Sequence, residues 1–193
     1  MPFSTCHSSH MAVKALGSGG LLLVALFVGM TPSAGRTQSV RAPACQVWQL
    51  AISTGPDISE KTGQHSLTIR LTNRGSAPCL LDGYPTMALT DSRGILPFRI
   101  SHRGDTMIAG HRAKQLTVRG GGRAYVVINK YRCDLGDRRV ARTLLLRLPR
   151  AEPARHLVLR IPPGYILGYC GSIGPGSTLA VSPFEPTVHA ALR

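Results

Sequence analysis

The chain has 193 residues, 43% of them hydrophobic, which suffices for a real core in one domain and argues against disorder. Its 21 glycines and 14 prolines follow no collagen period, so they call for many short connections. With 23 basic against 9 acidic side chains the net charge is +14, a field suited to anionic polymers, membrane surfaces or acidic proteins.

In chain order, the first feature is an apolar run from Leu16 to Met30, entered after Lys14. It reads as the h-region of a secretory signal peptide, with residues 1–34 removed by cleavage near Pro32-Ser33-Ala34 or Ser33-Ala34-Gly35. A spanning helix needs about 20 apolar residues. This run is shorter and is broken by Gly17, Ser18, Gly19 and Gly20. Residues 35–44 are expected to be a flexible lead into a single domain over 45–184, and residues 185–193 a loose tail. Cys45 lacks a leucine three positions upstream and lies far from the h-region, so lipid attachment there is not expected. Removal of the leader takes away Lys14 and leaves 22 basic and 9 acidic side chains, a net +13.

From Cys45 onward apolar residues recur at every second position, the mark of strands with one buried face. Trp48, Leu50 and Ile52 form the first such set, which places Trp48 in the core, and Leu67, Ile69 and Leu71 form the second. Met87 with Leu89, Leu116 with Val118, and Ala124, Val126 and Ile128 continue the pattern. Leu144, Leu146 and Leu148 precede Leu157, Leu159 and Ile161, and two last strands are predicted over residues 165–170 and 177–182. Turns rich in glycine and proline separate these runs, and no long segment has a helical period. About nine strands joined in this way predict an all-β, antiparallel two-sheet β-sandwich of immunoglobulin-like type.

Cys6 falls in the leader, leaving Cys45, Cys79, Cys133 and Cys170, an even set suited to an oxidising compartment. Four cysteines allow three pairings. That of sequence neighbours, Cys45 with Cys79 and Cys133 with Cys170, is the expected one. Zinc is disfavoured because no Cys-x2-Cys knuckle is present.

The residues Asn73-x-Gly75-x3-Cys79-x-Leu81-x-Gly83-Tyr84-Pro85, then Met87-x-Leu89-x-Asp91-x2-Gly94, carry a recognisable pattern. With Cys45 before Trp48, and Cys170 before Leu179-x-Val181-Ser182-Pro183-Phe184, it resembles an actinobacterial family of exported proteins, domain of unknown function 4232. The resemblance runs from Cys45 to Phe184 and implies a secreted or lipoprotein β-sandwich. It implies no catalytic residues.

Chemistry-bearing residues are sparse. His65, His102, His111, His156 and His189 follow the leader, but there is no Gly-x-Ser-x-Gly, so catalysis is not the leading expectation. His102, Asp105 and His111 fall within ten residues and would make a metal site only if their loop folded back; a solvated loop is the expectation, with no metal and no cofactor. Arg103-Gly104-Asp105 spells an adhesion tripeptide that arises easily by chance in an arginine-rich chain. Arg132, Arg138, Arg139 and Arg142 form the one basic cluster and are the candidate anionic-ligand patch, although Asp134 and Asp137 sit among them. Other basic residues are scattered and not interleaved with aromatics, so nucleic acid is not an expected partner. The leading functional expectation is a non-catalytic exported module at the cell envelope, binding an anionic cell-wall polymer, a membrane surface or a partner protein. The alternative is an exported hydrolase with a loop-borne site near His102 and His111.

Overall fold

The computed structural model describes residues 41–133, 139–150, 155–171 and 175–193. The leader over 1–34, residues 35–40 and Arg138 lie outside the described residues. The strands in order are β1 (Leu50–Thr54), β2 (Gln64–Asn73), β3 (Cys79–Leu81), β4 (Thr86–Asp91), β5 (Gly94–Leu96), β6 (Arg99–Ser101) and β7 (Leu116–Val118). They continue with β8 (Arg123–Tyr131), β9 (Arg139–Val140), β10 (Thr143–Arg147), β11 (Leu157–Arg160), β12 (Gly168–Tyr169) and β13 (Thr178–Val181), before a one-turn helix, α1 (Val188–Ala191).

Two principal sheets make the sandwich, one ordered β1-β2-β8-β13-β6 and the other β11-β10-β4-β5; β12 pairs with β9 and β3 with β7. The long β2–β8 pair explains the first sheet. Leu67 faces Ile128, Ile69 faces Val126 and Leu71 faces Ala124 in register, all six fully buried. The second sheet answers with Leu144 between Leu89 and Leu159, and Leu146 between Met87 and Leu157. Both sets belong to one hydrophobic core, so the period-two pattern of each strand is the inner face of one layer. Strand pairing is antiparallel except between β13 and β6, which run parallel.

The disulfides join Cys45 to Cys79 and Cys133 to Cys170, the pairing of sequence neighbours. The first fastens the β2–β3 corner. There Asn73, fully buried, donates through Nδ2 to the carbonyls of Ala77 (2.9 Å) and Val118 (3.0 Å) and accepts from the Gly75 amide (2.9 Å). Its backbone also bonds to Gly121 and Gly122 of the β7–β8 turn. Gly120 of that turn lies so near the Ser76 and Gly75 carbonyls that a Cβ would fall 2.5 Å from the Ser76 oxygen. At the next bend Gly83 takes φ +78°, which the Asp-Gly pair supplies without strain.

Three expectations need correction. Trp48 is not in the core: it is 71% exposed on a 3-10 turn over Val47–Gln49, closed by the Gln46 amide on Gln49 Oε1 (2.9 Å). The turn breaks the alternation before β1, where Leu50 is the first buried residue. Residues 41–44 are not a free lead, because Leu80 donates to Pro43 (2.8 Å) and Cys45 to Leu80 (2.9 Å). Nor is the C-terminus a loose tail. Ala191 is fully buried with Met107, Ile108, Val127 and Ala180 in a second small core on the outer side of the five-stranded sheet. Ala109 donates to Ala191 (3.1 Å) and Arg193 to Met107 (3.0 Å), fixing α1 there.

Candidate functional site

The histidines of the hydrolase alternative meet at one corner. Tyr84 and His102 stack with ring centroids 4.1 Å apart and planes 16° apart. The Tyr84 hydroxyl lies 2.9 Å from the His111 carbonyl and 3.3 Å from that of His102. His111 Nε2 meets Glu185 Oε1 at 2.6 Å. Burial, with Glu185 nearby, raises the Tyr84 pKa, and burial lowers that of His102. A base–carboxylate pair is therefore present, but the adjacent hydroxyl is held on backbone carbonyls, which fastens a corner rather than arming a nucleophile. Asp105 does not join the histidines. Its Oδ1 accepts from the Met107 and Ile108 amides (2.8 Å each) and its Oδ2 from Asn129 Nδ2 (2.6 Å). Both oxygens of the adhesion-like tripeptide's carboxylate are thus committed inside the protein. Among the described residues no group of three or more His, Cys, Asp or Glu could hold a metal ion.

The arginine cluster is only partly a surface patch. Arg139 grips Asp91 through two nitrogens, Nε at 2.7 Å from Oδ2 and Nη2 on Oδ1, and Nη2 also donates to the Gly94 carbonyl (3.2 Å). That guanidinium holds the Asp91 carboxyl at about 2, below its usual 3.8. Arg139 is thus a clamp between β9 and the β4–β5 turn. Arg132 and Arg142 are exposed.

A cationic surface that the sequence reading missed lies on the outer face of the four-stranded sheet. The core takes Leu144, Leu146, Leu157, Leu159, Met87 and Leu89, so the alternate residues face away. Register then makes three rows: Ile95, Thr90, Thr143 and Arg160; Ala88, Leu145 and Val158; Thr86 and Arg147. No carboxylate stands in these rows. Val158, 53% exposed, is apolar ground between Arg147 and Arg160, and Ile95, 64% exposed, lies at the opposite edge of the sheet in the row of Arg160. Four residues along and one strand across, the two arginine backbones are about 14 Å apart. The signal was available in the out-of-phase residues of each run, but only pairing register shows that they share a face.

A family model described as Domain of unknown function (DUF4232) matches residues 45–185. The chain belongs to that family. No curated protein and no solved structure matches it. In this DUF4232 domain the Asn73–Pro85 motif is the stapled corner itself: Asn73 ties two turns, Cys79 holds Cys45, and Tyr84 reaches the carbonyls beyond β6. The motif thus encodes architecture. Two disulfides in an all-β domain fit an extracytoplasmic location.

Proposed function

We propose that the protein is a secreted, non-catalytic envelope module whose four-stranded sheet lays its outer face against an anionic surface. The observation that carries this reading is the row pattern of that face, where Arg147 and Arg160 stand on either side of exposed Val158, exposed Ile95 lies at the far edge, and no carboxylate stands in the rows. The leader, the disulfides and the +13 charge remaining after leader removal support it. Anionic wall polymer, lipid head groups and an acidic protein are the surfaces of matching chemistry. Arginine suits all three because its planar donor fork pairs with phosphate and carboxylate alike.

Retention on isolated envelopes across a salt series tests this, with purified wall polymer and anionic vesicles as separate arms. Retention should be strong at low salt and fall as the Debye length shortens from about 30 Å at 0.01 M to about 8 Å at 0.15 M. An Arg147→Glu, Arg160→Glu double variant should lose it. Absent or salt-indifferent retention overturns the proposal, and so does full retention by the double variant.

A further inference from the structure

Trp48 is the chain's one tryptophan, and it is 71% exposed. An exposed apolar side chain by itself needs no explanation. Here the setting does need one. The 3-10 turn that carries Trp48 is held at its entry, where the Gln46 amide donates to Gln49 Oε1 (2.9 Å) and Gln46 Nε2 donates to the Ala44 carbonyl (3.3 Å). Cys45, three residues before Trp48, is bridged to Cys79. The indole therefore projects into water from a stiff backbone, which lowers the entropy lost when it meets a partner.

Three chain segments meet at this end of the five-stranded sheet. The Gln49 carbonyl accepts from the Arg74 amide (2.7 Å), the Asn73 amide donates to the Gly122 carbonyl (3.0 Å), and Thr72 pairs with Arg123 in register. The entry to β1, the exit from β2 and the entry to β8 thus lie side by side, about 5 Å from one to the next. They carry Trp48, Arg74 and Arg123. Arg119 opens the turn into β8, which the Gly122 amide closes on the Arg119 carbonyl (2.8 Å). Only Gly120, Gly121 and Gly122 stand between Arg119 and Arg123, so no side chain of the turn screens the two. All three arginines are exposed, and none has a carboxylate partner among the described residues, unlike Arg139 and Arg150. Residues 46–49, 73–78 and 117–124 include no acidic residue. Ala77 and Pro78 add exposed apolar surface at the same corner.

The geometry points to a membrane-docking end, at which Trp48 enters the head-group region of an anionic phospholipid bilayer while Arg74, Arg119 and Arg123 pair with the surrounding phosphates. Tryptophan favours that region because its ring is apolar and its N–H still finds a polar partner there. Each arginine near an anionic leaflet strengthens partitioning about fivefold, so three together give on the order of a hundredfold. A sugar would need polar partners beside the ring. No carboxylate is there, and the Gln46 and Asn73 amides and the Gln49 oxygen are engaged within the fold. A soluble polyanion would engage the arginines and leave the indole in water. These residues lie outside the strands of the Arg147–Arg160 face, and the proposal does not rest on that reading.

Because Trp48 is the one tryptophan, the protein's tryptophan emission reports on this end alone. The test titrates the exported protein, both disulfides intact, with vesicles of equal parts phosphatidylglycerol and phosphatidylcholine. Pure phosphatidylcholine vesicles and a purified anionic wall polymer are the other arms. The mixed vesicles should shift the emission to the blue, and lipids brominated near the head group should quench it; phosphatidylcholine alone should do neither. Trp48→Ala should lower vesicle co-sedimentation at least about fivefold. Arg74→Gln with Arg119→Gln and Arg123→Gln should lower it on the order of a hundredfold, and both variants should keep the wild-type urea midpoint. Arg147→Gln with Arg160→Gln should retain most of the quenching, which separates failure of the sheet-face reading from failure of this one. No quenching in vesicle-bound protein, unchanged binding by the alanine or the triple glutamine variant, or equal binding to phosphatidylcholine overturns the proposal. So does loss of quenching in the Arg147, Arg160 variant, which would move the contact to the sheet face. A blue shift with the wall polymer and none with vesicles overturns it as well and assigns this end to the polymer.

Discussion

The Tyr84 hydroxyl lies 2.9 Å from the carbonyl oxygen of His111, twenty-seven positions away in the chain, while the Tyr84 ring stacks on His102. One side chain therefore pins two points of the β6–β7 connection, His102 and His111, to the corner that follows β3. Tyr84→Phe keeps the stack and removes the bond. The expected cost is about 1 kcal/mol, typical of one neutral hydrogen bond, read as a lower urea midpoint at unchanged slope. A loss below about 0.3 kcal/mol would show that the stack alone holds the corner.

Asp91 and Arg139 predict a specific acid response. The Asp91 carboxyl, ordinarily near 3.8, is lowered to about 2 by the Arg139 hydrogen bonds. A depressed carboxyl pKa means that the unfolded chain takes up the proton first as pH falls. The stabilising contribution is thus fully present above about pH 4 and lost as pH drops through about 2. Carboxyl-carbon NMR should show Asp91 titrating near 2 in the wild type and near 4 in Arg139→Ala. A midpoint unmoved by the substitution would assign the shift to another cause.

The two bridges predict an intact mass four hydrogens below that of the fully reduced protein, two for each disulfide. They span 34 and 37 residues, so replacing either pair with serine should cost about 3–4 kcal/mol in the chain-entropy model. Free thiols at Cys45, Cys79, Cys133 and Cys170 in the native protein would contradict the pairing.

Trp48 separates what local pattern reveals from what it hides. The two-residue period located nine strands because buried alternation is written directly into β2, β8 and β10. It did not report β3, β5, β6 or β9, two or three residues long, although it found the equally short β7 and β12. It misplaced Trp48 because one 3-10 turn resets the phase before Leu50, and that turn depends on Gln46 and Gln49 side chains rather than on apolar residues. The arginine face was hidden for another reason. Arg147 and Arg160 come to share one face only through strand pairing. Trp48→Ala should shift stability by no more than about 0.5 kcal/mol, whereas Leu67→Ala should cost about 2–5 kcal/mol. A large loss at Trp48 in equilibrium unfolding would return it to the core.

The docked C-terminus gives the last prediction. Ala191 is fully buried against Val127 and Ala180, whose side chains face away from the main core, so α1 covers apolar surface that the sandwich would otherwise expose. A four-residue helix has no stability of its own; it holds because Thr187 caps the Ala190 amide (3.2 Å) and because backbone bonds tie Ala191 and Arg193 to the β6–β7 connection. Ala191→Glu places a carboxylate in that small core, which must either ionise without a partner or undock α1. The expected cost is about 2 kcal/mol, limited by undocking, together with new binding of an apolar dye and faster amide exchange at Met107 to Ala109. Wild-type exchange and stability in the variant would show that the segment contributes nothing to the native state.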